Sequence, residues 1–111
     1  MGGGSLVVIV IYVPTEHAGE VRRALDEAGA GRIGDYRGCS WSTPGMGRFT
    51  PLDGARPAIG AVGEPEEVPE DRIEAVAPRE AAREILEAAL AAHPYEEPAH
   101  HVIPVLTAGE L

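Results

Sequence analysis

The apolar positions of the chain change their spacing from segment to segment, and each spacing predicts an element. Leu6 to Val13 (LVVIVIYV) is an unbroken apolar run rich in β-branched residues, which predicts a strand central in a sheet or buried on both faces. Pro14 ends it. Thr15 then reads as a helix N-cap, with Glu16 in the first turn where the helix dipole favours negative charge. His17, Val21 and Leu25, with Ala18, Ala24 and Ala28, recur at helical spacing as far as Gly29, a glycine placed to end the helix. Asp71 to Ala77 alternates polar and apolar, as a half-buried strand does. Pro78 opens a second helix whose apolar stripe is Ala82, Ile85, Leu86, Ala89 and Leu90. It ends at His93-Pro94, because the residue before a proline is pushed out of helical geometry. Ala99 to Val105 reads as the last strand.

The stretch between Ala30 and Gly63 has no single period. Ile33–Tyr36, Cys39–Thr43 and Met46–Thr50 each read as a short strand piece, and Pro44-Gly45 as a turn joining the last two into a hairpin or bent pair. A loop follows from Pro51 to Pro57, then a short strand over Ala58–Val62. Glu64 to Asp71 (EPEEVPED) reads as a solvated acidic loop.

This order predicts an α+β fold: a ferredoxin-like βαββαβ sandwich with an extra β-hairpin between the first helix and the later strands. Residues 1–5 read as a flexible leader or tag, 6–106 as the domain and 107–111 as a tail. Both helices cover one face of the sheet. Val8, Val10 and Tyr12 stand on the other, which predicts a second subunit as cover and hence a homo-oligomer.

Composition narrows the function. The net charge is −9, all nine basic residues are arginine, and Lys, Asn and Gln are absent. An acidic domain without a basic stripe is not built for a nucleic-acid backbone, and a lysine-free chain has no P-loop. No apolar run is long enough for a membrane helix. A single cysteine, Cys39, fits a reducing, cytoplasmic setting.

Candidate chemistry concentrates in His93-Pro94-Tyr95-Glu96-Glu97-Pro98, read on to His100-His101, where three of the four histidines lie within nine residues. His100 and His101 are adjacent on a strand, so they point to opposite faces and cannot share an ion. His93 has a plain structural role at a helix C-terminus, where a charged imidazole suits the dipole. A thiolate and an imidazole together suit zinc or copper, which makes Cys39 with His93 one ligand set to weigh, joined by Glu96 and Glu97. Against it, Cys39 can be a small buried hydrophobe and the two glutamates solvated loop residues. Tyr95 can bury its ring and show its hydroxyl at a subunit edge. His17, at the start of the first helix, is a further binding candidate. Gly29-Ala30-Gly31-Arg32-Ile33-Gly34 spells G-x-G-x-x-G, but it follows a helix, so Gly29 reads as a helix cap and not as part of a dinucleotide fingerprint.

A set of local motifs is more specific. It comprises Tyr12-Val13-Pro14 with His17, Gly29 to Tyr36, Cys39-Ser40-Trp41-Ser42-Thr43, Gly45 with Gly47-Arg48-Phe49-Thr50-Pro51, Gly60 to Gly63, Arg72-Ile73-Glu74 and Ala92 to Ala99. Over residues 6–106 the chain resembles the PII/CutA-like domain inserted in bacterial proteins of the Ngg-one-interacting-factor-three family (the YqfO type), here standing alone. The His-Pro-Tyr-Glu piece is similar to one in the CutA divalent-cation-tolerance proteins. The resemblance implies a ferredoxin-like fold, often a trimer with sheets packed inward, and a regulatory role in sensing metals or small molecules at clefts between subunits. It also implies that the family's dinuclear metal site and any cyclohydrolase activity sit in flanking domains. His101 stands where related domains tend to carry an acidic residue.

The expectation is therefore a non-catalytic, cytoplasmic, oligomeric binding domain for a metal ion or small molecule. Cys39, His93, Glu96 and Glu97 are its candidate metal ligands, with Tyr95 and His17 as further contacts. A trimerisation module without a ligand is the alternative, and an enzyme using Cys39 the third reading.

Overall fold

The computed structural model describes residues 5–111. Four strands form one antiparallel sheet, with β1 Leu6–Pro14, β2 Trp41–Phe49, β3 Glu66–Pro78 and β4 His100–Val105 in the spatial order β2-β3-β1-β4. Two helices, α1 Ala18–Ala28 and α2 Ala82–Ala91, lie together on one face. This is the expected ferredoxin-like sandwich.

Alternation decides which side chains make the core. Val7, Ile9, Ile11 and Val13 of β1 point to the helices, as do Ile73, Ala75 and Ala77 of β3. They meet Val21 and Leu25 of α1 and Ile85 and Ala89 of α2. Ile9, Ile11, Leu25 and Ile73 are wholly buried, and burying each such side chain contributes about 1.5–3 kcal/mol. The two strand-to-helix joints share one design. Pro14 and Pro78 each end a strand, a single 3₁₀ turn follows, and then Ala18 and Ala82 begin the helices as buried residues. Thr15 is therefore not the helix cap expected; its hydroxyl donates to Asp71 at 2.9 Å and ties the turn to β3. Gly29 does end α1, in the left-handed region at φ 111°.

Four local expectations fail. No hairpin forms at Pro44-Gly45, because β2 runs straight through both residues as one nine-residue strand. β2 is an edge strand, so Pro44 can sit where no ladder N–H is required. Its partner is the supposed acidic loop: Glu66 to Glu70 is the first part of β3, paired with Gly45 to Phe49. Ala58–Val62 forms no strand, and Ile33 and Tyr36 make only an isolated bridge. Because β1 reaches β3 only from Glu70 onward, Glu66–Pro69 and Met46–Phe49 extend beyond the body as a two-stranded arm.

The leader expected over residues 1–5 falls mostly on residues 1–4, outside those described. Ser5 accepts the Arg79 N–H at 2.9 Å. No helix among the described residues is long and apolar enough to cross a membrane.

Candidate functional site

The arm, the loop over residues 50–59 and the segment from His93 to Ala99 meet at one end of the sheet around a cleft of about 390 Å³. Its position follows from how α2 stops. The N–H groups of Ala92 and His93 bond back to the carbonyls of Ala89 and Leu90, and Pro94 then carries the chain away from the helix. The His93 ring turns inward and is only 7% exposed. Its Nε2 lies 2.6 Å from the Tyr12 carbonyl, and its Nδ1 is 3.1 Å from the Tyr95 N–H. A carbonyl only accepts and an amide N–H only donates, so Nε2 carries the proton and Nδ1 is the acceptor. Burial holds the imidazole below its usual pKa; the Tyr12 carbonyl works against this, and His17 and His100 reinforce it. His93 is thus a neutral clasp between the end of β1 and the Tyr95 segment. The charged, dipole-matched imidazole expected at this position is not what the fold uses.

The clasp sets Tyr95. Its ring lies 5.1 Å from His93 and edge-on to Phe49 of β2 at 5.6 Å. Its hydroxyl is buried next to the Glu70 carboxylate, and among the described residues no hydrogen bond to it has full distance and angle geometry. Burial, followed by the carboxylates of Glu70 and Glu66, pushes the phenol up to about 12. Glu70 is half-buried in the same cleft, and desolvation raises its pKa, opposed by its interaction with Tyr95. The Glu70 side chain lies across Gly47 on the neighbouring strand, in space that a β-carbon there would fill. Glu96 accepts the backbone N–H of Arg56 at 2.6 Å and so anchors the 50–59 loop, while exposed Glu97 lines the rim. Arg48, also in the lining, is bound to Glu67 at 2.6 Å.

The remaining sequence candidates lie elsewhere. Cys39 lines a separate cleft beside α1 with Asp26 and Ala75, its sulfur 4.0 Å from the Arg37 carbonyl. Its loop is tied by Gly31 to Val76, whereas His93 is tied to Tyr12 opposite Arg72. Val76 and Arg72 are four residues apart on β3, roughly 13 Å along the strand. The fold therefore does not join Cys39 to His93, and both His93 nitrogens already have partners. His17 stands between Glu16 and Glu20, at 3.7 and 3.6 Å. His100 and His101 do diverge: His100 turns to the Pro98 carbonyl at 2.7 Å, and His101 lies 6.0 Å from the Tyr12 ring on the open face. Among the described residues, no three His, Cys, Asp or Glu side chains gather as a metal site. Among the described residues, Cys39, His93, Glu96 and Glu97 are not brought together at one point.

Of the six sequence candidates, Tyr95, Glu96 and Glu97 line the cleft and His93 holds it in shape. Sequence reasoning missed Glu70, Gly47 and Arg56. Glu70 was hidden in an acidic stretch that reads as loop until it is paired with β2.

Relatives of known sequence share nearly all of the chain. A GTP cyclohydrolase 1 type 2 homolog of Mycobacterium leprae is 53% identical over 106 residues, 96% of this chain and 28% of that protein. The Bacillus subtilis homolog is 48% identical over 97 residues, 87% of this chain and 26% of its own length. A Bacillus cereus protein related to NIF3 superposes with a TM-score of 0.83 at 41% identity, covering 99% of this chain and 28% of that one. This chain is similar, along nearly all of its length, to one segment of NIF3-related proteins. The domain spans about a quarter of the length of the relatives it matches. No protein-family model matches it. The divalent cation tolerance protein CutA of Archaeoglobus fulgidus has a TM-score of 0.67 at 21% identity, over 93% of this domain and 86% of CutA, a likeness of fold alone. The chain thus shares the CutA fold.

Proposed function

We propose that this domain is a non-catalytic binding module that takes a small molecule in the cleft between the β2–β3 arm, the 50–59 loop and the His93–Ala99 segment. The observation that carries this reading is the Tyr95 hydroxyl, buried beside Glu70 at the cleft with no hydrogen bond of full geometry among the described residues. A buried polar group left without a good hydrogen bond costs about 1–3 kcal/mol, and a ligand that bonds to it recovers that cost. The cleft volume of about 390 Å³ lies within the range typical of small-molecule sites. A non-catalytic role is supported by the separation of Cys39 from His93, which leaves the thiol without that base. The cyclohydrolase in the relatives' name belongs to much longer proteins and is not part of this proposal. The lone thiol at Cys39 fits a reducing cytoplasm.

The test is a small-molecule and divalent-metal panel read by amide chemical shifts of the labelled protein. A small molecule should move the amides of Tyr95, Glu96 and the 50–59 loop together. Saturable zinc or copper binding at Cys39, with the cleft silent, would contradict the reading.

A second reading, homo-oligomerisation, has its own support. Trp41 and Ile103 stand 57% and 37% exposed on the sheet face that carries no helix, in register with Val8 and Val10 of β1 through Val76 and Glu74. A trimer packing these faces together would bury them. Sedimentation of the wild type against Ile103→Asp distinguishes a self-associating face from a monomer's surface.

A further inference from the structure

The wall chemistry of the cleft narrows its ligand, on the premise that the cleft is a binding site. Phe49, Pro51, Leu52, Pro57 and Ile59 make most of it apolar. Its charged lining residues are Arg48, Glu70, Glu96 and Glu97, which leaves an excess of negative charge. The one cation is already engaged, since Arg48 holds Glu67 at 2.6 Å. Glu96 is engaged as well, by the Arg56 N–H. The Glu70 carboxylate is the polar group left beside the apolar wall, with the buried Tyr95 hydroxyl next to it.

We infer that the cleft binds an organic cation, with a primary ammonium donating to the Glu70 carboxylate and Tyr95 Oη and an apolar body against Phe49, Pro51 and Ile59. An ammonium offers three N–H donors and no acceptor, which matches a carboxylate beside a buried hydroxyl oxygen. The Tyr95 and Phe49 rings can add cation–π attraction. An anion would meet uncompensated carboxylates. A neutral apolar molecule would leave Tyr95 Oη buried without a hydrogen bond of full geometry and Glu70 still desolvated. A bare metal ion would have to surrender its hydration to apolar walls. Gly47 belongs to the same device, since its missing side chain is what lets Glu70 lie toward the cleft.

The probes are phenethylammonium, phenethyl alcohol and phenylacetate, which share one ring and differ in charge. Each is titrated into the labelled, intact chain and followed by amide shifts. The expected result is saturable movement of the Tyr95 and 50–59 amides with the ammonium, no saturation with phenylacetate, and weaker binding of the alcohol. Glu70→Gln should weaken the ammonium about tenfold or more, the loss of one strong charge-assisted bond. Tyr95→Phe should weaken it less, and both variants should keep the wild-type spectrum elsewhere. Equal binding of the alcohol, or undiminished binding by Glu70→Gln, overturns the cation assignment while the cleft stands as a site. Silence from all three probes overturns the assignment and the cleft reading together.

Discussion

The carboxylate of Glu70 occupies the space that a side chain on Gly47 would need. The two residues lie on adjacent strands, Gly47 opposite Val68 and Glu70 opposite Gly45, so Glu70 crosses the β2–β3 ladder diagonally. Gly47→Ala should therefore displace the carboxylate and weaken any ligand held by Glu70. In a Glu70→Ala background the same change should be neutral or slightly stabilising, because alanine suits a strand better than glycine. A double-mutant cycle by denaturant unfolding should give a coupling of about 0.5–3 kcal/mol. Additive effects would mean the two residues do not share that space.

The Tyr95 hydroxyl is a stability cost in the free protein. Tyr95→Phe should stabilise it by about 1 kcal/mol, measured by urea unfolding. The pH dependence has a fixed sign. The folded phenol holds its proton up to about 12, against 10.0 unfolded, so the wild type loses stability as pH rises between those values. Tyr95→Phe should remove that part of the alkaline loss. An unchanged alkaline limb would show that the hydroxyl is solvated.

His93 behaves in the opposite pH range. Its folded pKa is held below 6.5, so folding is fully supported above that value and weakens as pH falls from 6.5 toward the depressed one. His93→Phe should flatten this acid limb. It should also cost about 1–3 kcal/mol for each of the two groups it orphans, the Tyr12 carbonyl and the Tyr95 N–H. A variant as stable as wild type at neutral pH would show that the clasp is not needed.

Gly31→Ala tests the loop that carries Cys39. Gly31 has φ 75°, and a β-carbon there would run into the Cys39 backbone. We expect a loss of at least about 1–3 kcal/mol from backbone strain alone, with the clash added. Cleft binding should be unaffected by Cys39→Ser, which touches neither His93 nor Tyr95.

Much of the fold was legible in the sequence because its long elements carry strong periods. The run from Leu6 to Val13 and the stripes of both helices name their partners through burial alone. β2 was not legible. Its Gly and Pro content reads as turns, and only pairing with Glu66–Glu74 makes it a strand. The acidic residues facing it were misread for the same reason, since pairing is not a local property of a sequence. The site was half legible. His93-Pro94-Tyr95-Glu96-Glu97 drew attention as a cluster of donors, with His93, Glu96 and Glu97 weighed as metal ligands and Tyr95 as an edge contact. Its actual chemistry is divided: His93 clasps, Glu96 anchors a loop, and Tyr95 faces the cleft beside a glutamate from another strand. Nothing in local sequence links Glu70 to Tyr95.

The central claim is that this cleft, and not the cysteine or a histidine cluster, is where the domain binds. The most direct measurement is a crystal structure of the domain with a ligand selected by the shift panel. The account predicts ligand density against Phe49 and Ile59 with a polar atom within hydrogen-bond distance of Tyr95 Oη and Glu70. Density at Cys39, or a cleft filled by the domain's own loop with Tyr95 Oη bonded inside it, would contradict it.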